Sequence, residues 1–525
     1  MKERILTDVL VIGSGIAGGV AALILAEDPQ VQVTVVTNAA EPWESNTFYA
    51  QGGIIGRGPE DSADLLAEDL LRAGCGYNNP QAVKILAEQG PRLLQKVLLD
   101  KLGIRFTGTR GDRPDYIREA AHSTTRILHI DDATGRAIEE RIIEAIEQMP
   151  NIRLLTGHTA VDLLTLSHHA RDPLLVYSAP TCVGAYVFDQ QNSIVNTYLA
   201  KKTILATGGL GQIFLHTTNS SQARGDGLAM AHRAGARVIN AEYVQFHPTS
   251  FYRSSTGVRR FLISEAVRGS GARLVDTAGE PFMDRYSPQW KDLAPRDVVA
   301  RSIHQEMLET GRDYVYLDIR TYLSQARIKE RFPTIYRHCL EEGVDITNDL
   351  IPVVPAAHYH CGGVWVDAEG RSSLNNLSVV GETACTGVHG ANRLGGASLL
   401  EALTWAYRAA QEIGMDLRDQ LPITADEIPF WDDTGDDPAD PALIYQDIST
   451  IKRIMWNYVG LVRTTPRLSR AIEDLRDLQN AIDKFYQTSR LDDRLIGLRN
   501  SVQAALIVAL AAWENKIGQG CHYRE

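Results

Sequence analysis

Very little in this chain of 525 residues would hold a metal cluster. Its six cysteines are scattered at 75, 182, 339, 361, 385 and 521, with no C-x-x-C pair. That usage suits a reducing compartment and gives no iron–sulfur or zinc framework, so no metal is expected. Positive charge is also short: 53 Lys and Arg stand against 65 Asp and Glu, a formal net charge of −12. A balance of that sign disfavours nucleic acid or an anionic membrane as the main partner. An anionic substrate would need a local cluster of positive groups. Long apolar runs reduce, on this reading, to the amino-terminal stretch Val9 to Ala26, VLVIGSGIAGGVAALILA. Lys2 and Arg4 ahead of it resemble a signal peptide, but its four glycines, Ser14 and the preceding Asp8 argue against a leader and against a membrane span. The expectation is a soluble, cytoplasmic protein.

With 44% hydrophobic residues the chain can bury large cores and should hold two or three domains. The amino-terminal stretch organises it. An apolar strand ends in Ile12, and Gly13, Ser14, Gly15, Ala17 and Gly18 fall in the pattern G-x-G-x-x-G before an alanine-rich helix. Glycines there allow a tight turn and bring backbone N–H groups against a diphosphate, where the helix N-terminus adds positive charge. A second strand, Val31 to Val36, follows. NAD sites place an acid about 20 positions past the glycines. Here Thr37 and Asn38 stand instead, which weakens NAD and leaves FAD open. In ESNTFYAQGGI, Ser45, Asn46 and Thr47 offer short polar side chains. Ala50, Gln51, Gly52 and Gly53 follow, the two glycines permitting close backbone approach.

At this segment the chain resembles the fumarate reductase, succinate dehydrogenase and L-aspartate oxidase family of flavoproteins, in which it lies along the flavin. Many members carry a flavin-linked histidine where this chain has Asn46, so the resemblance implies non-covalent FAD. Further motifs carry the likeness. REAAHSTTRILHIDDATG (Arg118 to Gly135) matches the aspartate oxidase segment at Glu119, His122, Ser123, Arg126 and His129, with Ala120 and Ala121 in place of two glycines. A solvated charged loop is the plainer alternative there. Val161, in the run Ile152 to Leu163, and Ala206, Thr207 and Gly208, in ILATGGLG, fall where the family closes over the ADP part. Asn219 and Asp226 match its flavin-side loop, with Ser220 for proline and Arg224 for threonine. Glu382 matches a ribose-binding carboxylate, and Ser398 and Leu399 open a helix whose N–H groups face the flavin's pyrimidine end. The run GGASLLE does not separate the aspartate oxidases from the fumarate reductases.

The implied fold is an α/β Rossmann-like FAD-binding domain with an inserted α+β capping domain and a C-terminal helical domain. We expect the FAD-binding domain to comprise 1–240 and 351–420, the capping domain 241–350, and the helical domain 421–525, with a linker at Thr434 to Pro441. By the same likeness His247, Ser264, His358 and Arg393 hold the carboxylates of a C4 dicarboxylate, which would otherwise be costly to bury. Arg296 matches the proton-transferring arginine. A free guanidinium is a poor general base, so Glu265 would relay its proton, or Arg296 would act as an electrostatic stabiliser. Glu119 is expected to recognise the amine of L-aspartate. The implied reaction is oxidation of L-aspartate to iminoaspartate, a first step of quinolinate and NAD biosynthesis, with oxygen or fumarate reoxidising the flavin and a quinolinate synthase as a transient partner. Two alternatives stand beside it: a soluble fumarate reductase or succinate dehydrogenase flavoprotein acting on fumarate or succinate, and a non-catalytic FAD-binding subunit that docks a partner.

Overall fold

The computed structural model describes residues 1–108, 114–119, 121–131, 133–254, 259–417, 424–433 and 435–525. Ala120 and Thr434 lie outside them.

The chain opens with the strand Arg4–Ile12 and the helix Ile16–Leu25, every residue of which is buried. A helix apolar on all sides has to be interior, and this one is held against the helices Thr134–Glu147 and Ala397–Asp416. Seven strands make the main sheet. Ile152–Leu155, Val33–Val36, Arg4–Ile12 and Ile194–Leu205 run parallel in that order, and Leu377–Val379 pairs in parallel with Ile194–Leu205. Cys182–Asp189 and His158–Thr165 extend it as antiparallel strands. Ile12 pairs with Val36 and Leu205, and Leu205 with Val379, so four carboxyl ends converge at one edge. Ligands of open parallel sheets bind outside that edge.

A four-stranded antiparallel sheet follows, ordered Val244–Phe251, Ile351–His360, Val315–Asp318 and Arg273–Val275. Ile351–His360, assigned from sequence to the returning nucleotide domain, pairs along this sheet. The pairing sets His247 opposite Ala356 and so brings it near His358. Three long helices, Pro441–Tyr458, Thr465–Thr488 and Asp493–Glu514, pack on one another at the end of the chain. The last corrects the reading that only the amino-terminal run is apolar enough to span a membrane. Asp493–Glu514 passes the same test by length and composition, yet 72% of its apolar window is buried inside the protein. Buried core helices have that composition because protein surrounds them. All six cysteines are free.

Candidate active site

A cavity of about 780 Å³ runs from the converging strand ends to the antiparallel sheet. At its first end the glycine loop forms the floor. Gly13 has φ +113°, and a Cβ there would collide with the Ala206 carbonyl. Gly18 lies behind it, where a Cβ would collide with the Gly13 carbonyl. This corrects the expectation for Gly18. It does not line the cavity, and its missing side chain lets the helix sit on the loop. Gly13, Ser14, Gly15 and Ala17 do line it. The first turn of Ile16–Leu25 holds no acid and its N-cap Gly15 has no side chain, although the Thr47 hydroxyl accepts from the Ile16 N–H (3.1 Å). Its positive end is therefore left to a ligand, as a diphosphate requires.

The walls here come from Thr37, Asn38, Ser45, Asn46, Thr47, Ala50, Gln51, Gly52, Gly53, Ala206, Thr207, Gly208, Asn219, Asp226, Glu382, Ser398 and Leu399. Val161 is the second correction. Its side chain is fully buried in the core, and Thr159 and Ala160 of the same strand face the cavity instead. The Asn46 amide donates to Glu382 (3.2 Å), and its oxygen accepts from the Ser220 N–H (2.8 Å). Glu382 also accepts from the His360 N–H (2.9 Å), while burial pushes its carboxyl up to about 7. Asp226 accepts from Arg224 (2.9 Å) and Asn500 (2.8 Å), and Arg224 reaches Asp493 (2.9 Å), which ties this wall to the last helix. Gln51 keeps a buried amide oxygen with no partner. A helix end that offers N–H donors, polar walls and an orphaned acceptor suit FAD.

The other end is built from side chains of distant segments. Arg296, at the start of the helix Arg296–Thr310, donates from Nε to Glu265 at 2.7 Å. That guanidinium holds the Glu265 carboxyl below its usual range despite burial. Arg393 lies with its guanidinium 4.6 Å above the Tyr359 ring and donates to the Ser398 hydroxyl (3.2 Å), and its Nε has no partner. Glu401 fixes that ring, accepting from the Tyr359 hydroxyl (2.9 Å) while lying 2.8 Å from His389 Nε2. The rings of His247 and His358 stand 5.4 Å apart. His247 Nδ1 lies 3.0 Å from the Thr249 carbonyl and His358 Nδ1 2.7 Å from the Thr218 hydroxyl, which leaves each Nε2 for a ligand. Burial and the neighbouring arginines push both rings well below 6.5, so both are neutral at physiological pH.

Glu119 enters from the opposite wall. Its carboxylate accepts from the Gly53 N–H and packs against Gly395, where a Cβ would collide with it. Burial raises its pKa above 4.5, opposed by Arg296 and Arg393. The turn that presents it is stapled from below. Arg126, 0% exposed, pairs with Asp61 (2.9 Å) and Asp69 (2.7 Å), and Ser123 donates to Asp69 (2.8 Å). His122 reaches the Gly395 carbonyl (3.1 Å). His122 and Arg126 thus anchor the segment from inside while Arg118, Ala121, Ser123 and Thr125 stay exposed, so it is more than a solvated charged loop.

All seven residues expected around a substrate (Glu119, His247, Ser264, Glu265, Arg296, His358 and Arg393) thus meet in one cavity. Sequence reasoning missed Tyr359, Thr218, Glu401 and Arg268. The signal for Tyr359 was its place between two histidines. Arg268 lies one turn past Glu265, is buried, and keeps Nε and Nη2 unpartnered.

Fold and cavity together define a flavoprotein, and the sequence profile described as "FAD binding domain" matches residues 8–399. The chain is 41% identical to an L-aspartate oxidase of Yersinia pestis, covering 99% of this chain and 95% of that one. It is 42% identical to L-aspartate oxidase 1 of Ralstonia nicotianae, covering 98% and 94%. The fold matches E. coli quinol fumarate reductase FrdA with a TM-score of 0.86 at 23% identity, covering 100% of this chain and 92% of that one. The chain belongs to the L-aspartate oxidase family.

Proposed function

We propose that this protein is an FAD-dependent oxidase of L-aspartate. When bound, FAD supplies the two-electron acceptor, taking a hydride from Cα of aspartate to leave iminoaspartate, and oxygen or fumarate reoxidises it. Around the substrate, Arg393 grips one carboxylate with its planar fork, and the neutral His247 and His358, with Ser264, serve the carboxylates from the antiparallel sheet. Arg296, kept cationic by Glu265, stabilises charge at the far end and holds a proton for delivery to Cβ when fumarate is the acceptor. Asn46 puts an amide where a covalent link would need a histidine, so the flavin is held without a bond.

The observation that carries the reading is the charge arrangement. Arg296 and Arg393 supply cations for the carboxylates, and of the two acids beside them Glu265 is taken by Arg296 (2.7 Å), which leaves Glu119 to receive the ammonium of aspartate. Succinate and fumarate are dianions with no ammonium to offer Glu119. A charge-assisted hydrogen bond there contributes roughly 1.5–3 kcal/mol. Glu119→Gln should therefore lower kcat/KM for aspartate by about one to two decades while fumarate reduction holds or improves. Equal losses for both substrates would overturn the assignment of Glu119. Iminoaspartate is unstable in water, so we place a quinolinate synthase as the consumer of the product, and the cytoplasm as the setting.

A further inference from the structure

Glu139 is the acid that this mechanism leaves unused. It lies in the helix Thr134–Glu147, is 0% exposed, and has no regular hydrogen bond at either carboxyl oxygen beyond a weak one from the Ser45 hydroxyl. Buried polar groups are normally satisfied, so this one needs a reason. Its surroundings suggest one. The helix packs so closely on Ile16–Leu25 that a Cβ at Gly19 would collide with Ile142, one turn beyond Glu139. Ser45 is the side chain that acts on Glu139. The same serine lines the cavity and sits against the glycine loop, its Cβ 3.5 Å from where a Gly15 Cβ would be. Glu139 therefore lies just behind the helix end that a diphosphate takes.

Among the described residues no charged group offsets it. The helix Ile16–Leu25 has no ionisable residue. On its own helix Arg136 pairs with Glu140 (2.9 Å) and lies over Phe48. Arg153, on the neighbouring strand Ile152–Leu155, is exposed. Beside Ser45, Glu44 is engaged by the Tyr49 hydroxyl (2.5 Å). Burial accordingly lifts the Glu139 carboxyl well above 4.5. A helix N-terminus favours one anion, and two anions crowded at one such end in the interior force one of them to take up a proton.

We propose that Glu139 is a determinant of cofactor binding: FAD is bound by the protein with Glu139 neutral, and the diphosphate excludes the ionised form. The inference rests on FAD as the cofactor. Its sign is fixed. As pH rises, the flavin-free protein loses this proton and must recover it to bind FAD, so affinity falls with alkalinity and one proton is taken up per FAD.

The test is titration of FAD, read by quenching of its fluorescence, into the full chain freed of flavin, for the parent and Glu139→Gln. Gln keeps the shape and cannot ionise. The two should bind alike on the acid side of the profile, and the parent should weaken relative to the variant by up to about tenfold for each pH unit above the carboxyl's pKa. Calorimetry of the unmodified chain in two alkaline buffers of different ionisation enthalpy should show proton uptake approaching one per FAD, a readout that stands even if the variant fails to fold. Parallel pH profiles, or no proton uptake, would overturn the proposal. Failure of the parent to bind FAD at any pH would instead overturn the cofactor reading, and the proposal with it.

Discussion

The two ends of the cavity are made of different materials. At the diphosphate end, recognition rests on backbone, with Gly13 and Gly18 shaping a loop below an acid-free helix terminus within six residues of sequence. At the dicarboxylate end it rests on charged side chains, with Glu119, Glu265, Arg296 and Arg393 drawn from segments up to 274 positions apart. Backbone donors come ready once the helix forms. Side-chain charges have to be buried together, and each needs its own support, such as Glu401 beneath Tyr359 or Asp69 beneath Arg126. A fault at the first end should thus affect the cofactor, and a fault at the second should separate substrates.

Arg393→Leu should have the largest effect on turnover. Removing one partner of a buried charge pair costs about 3–5 kcal/mol, which is roughly two to four decades. Steady-state kinetics should show that loss for aspartate and fumarate alike, because both need the carboxylate grip, while FAD affinity holds. A selective loss for one substrate would place Arg393 elsewhere in the account. Arg126→Leu is the corresponding fault in support. It removes the buried guanidinium from Asp61 and Asp69, which keep Arg57 and Arg72 as second partners, so a loss of stability of at most about 3–5 kcal/mol is expected in denaturant unfolding. An unchanged midpoint would mean that the stapled turn contributes nothing.

This contrast also explains what was legible in the sequence. The glycine loop can be read from spacing alone, because strand, turn and helix are contiguous. The dicarboxylate end could be read only through family likeness, since nothing local in PAAHYHCGG or LAPRD tells that His358 and Arg296 share a cavity. Val161 was misplaced because the pairing of His158–Thr165 with its partner strand shifts register between Ala160 and Asp162, which takes Val161 out of regular alternation. Gly18 was assigned to the ligand when its role is helix packing. Glu401 and Tyr359 escaped notice because a supporting residue carries no motif of its own.

A smaller effect sharpens the comparison through pH. Glu119 must be ionised to receive an ammonium, and burial raises its pKa above 4.5. The kcat/KM for aspartate should fall as pH drops through that raised value and recover above it. Fumarate reduction should lack this limb. His247 and His358, held well below 6.5, should add no step near neutrality to either profile. A shared acid limb for both substrates would assign it to another group.

The most direct test of the central claim is an anaerobic titration of the yellow holoprotein, followed by flavin absorbance. L-aspartate should bleach the flavin, and succinate at the same concentration should leave it largely oxidised. Bleaching by succinate and not by aspartate, or by neither, would contradict the account.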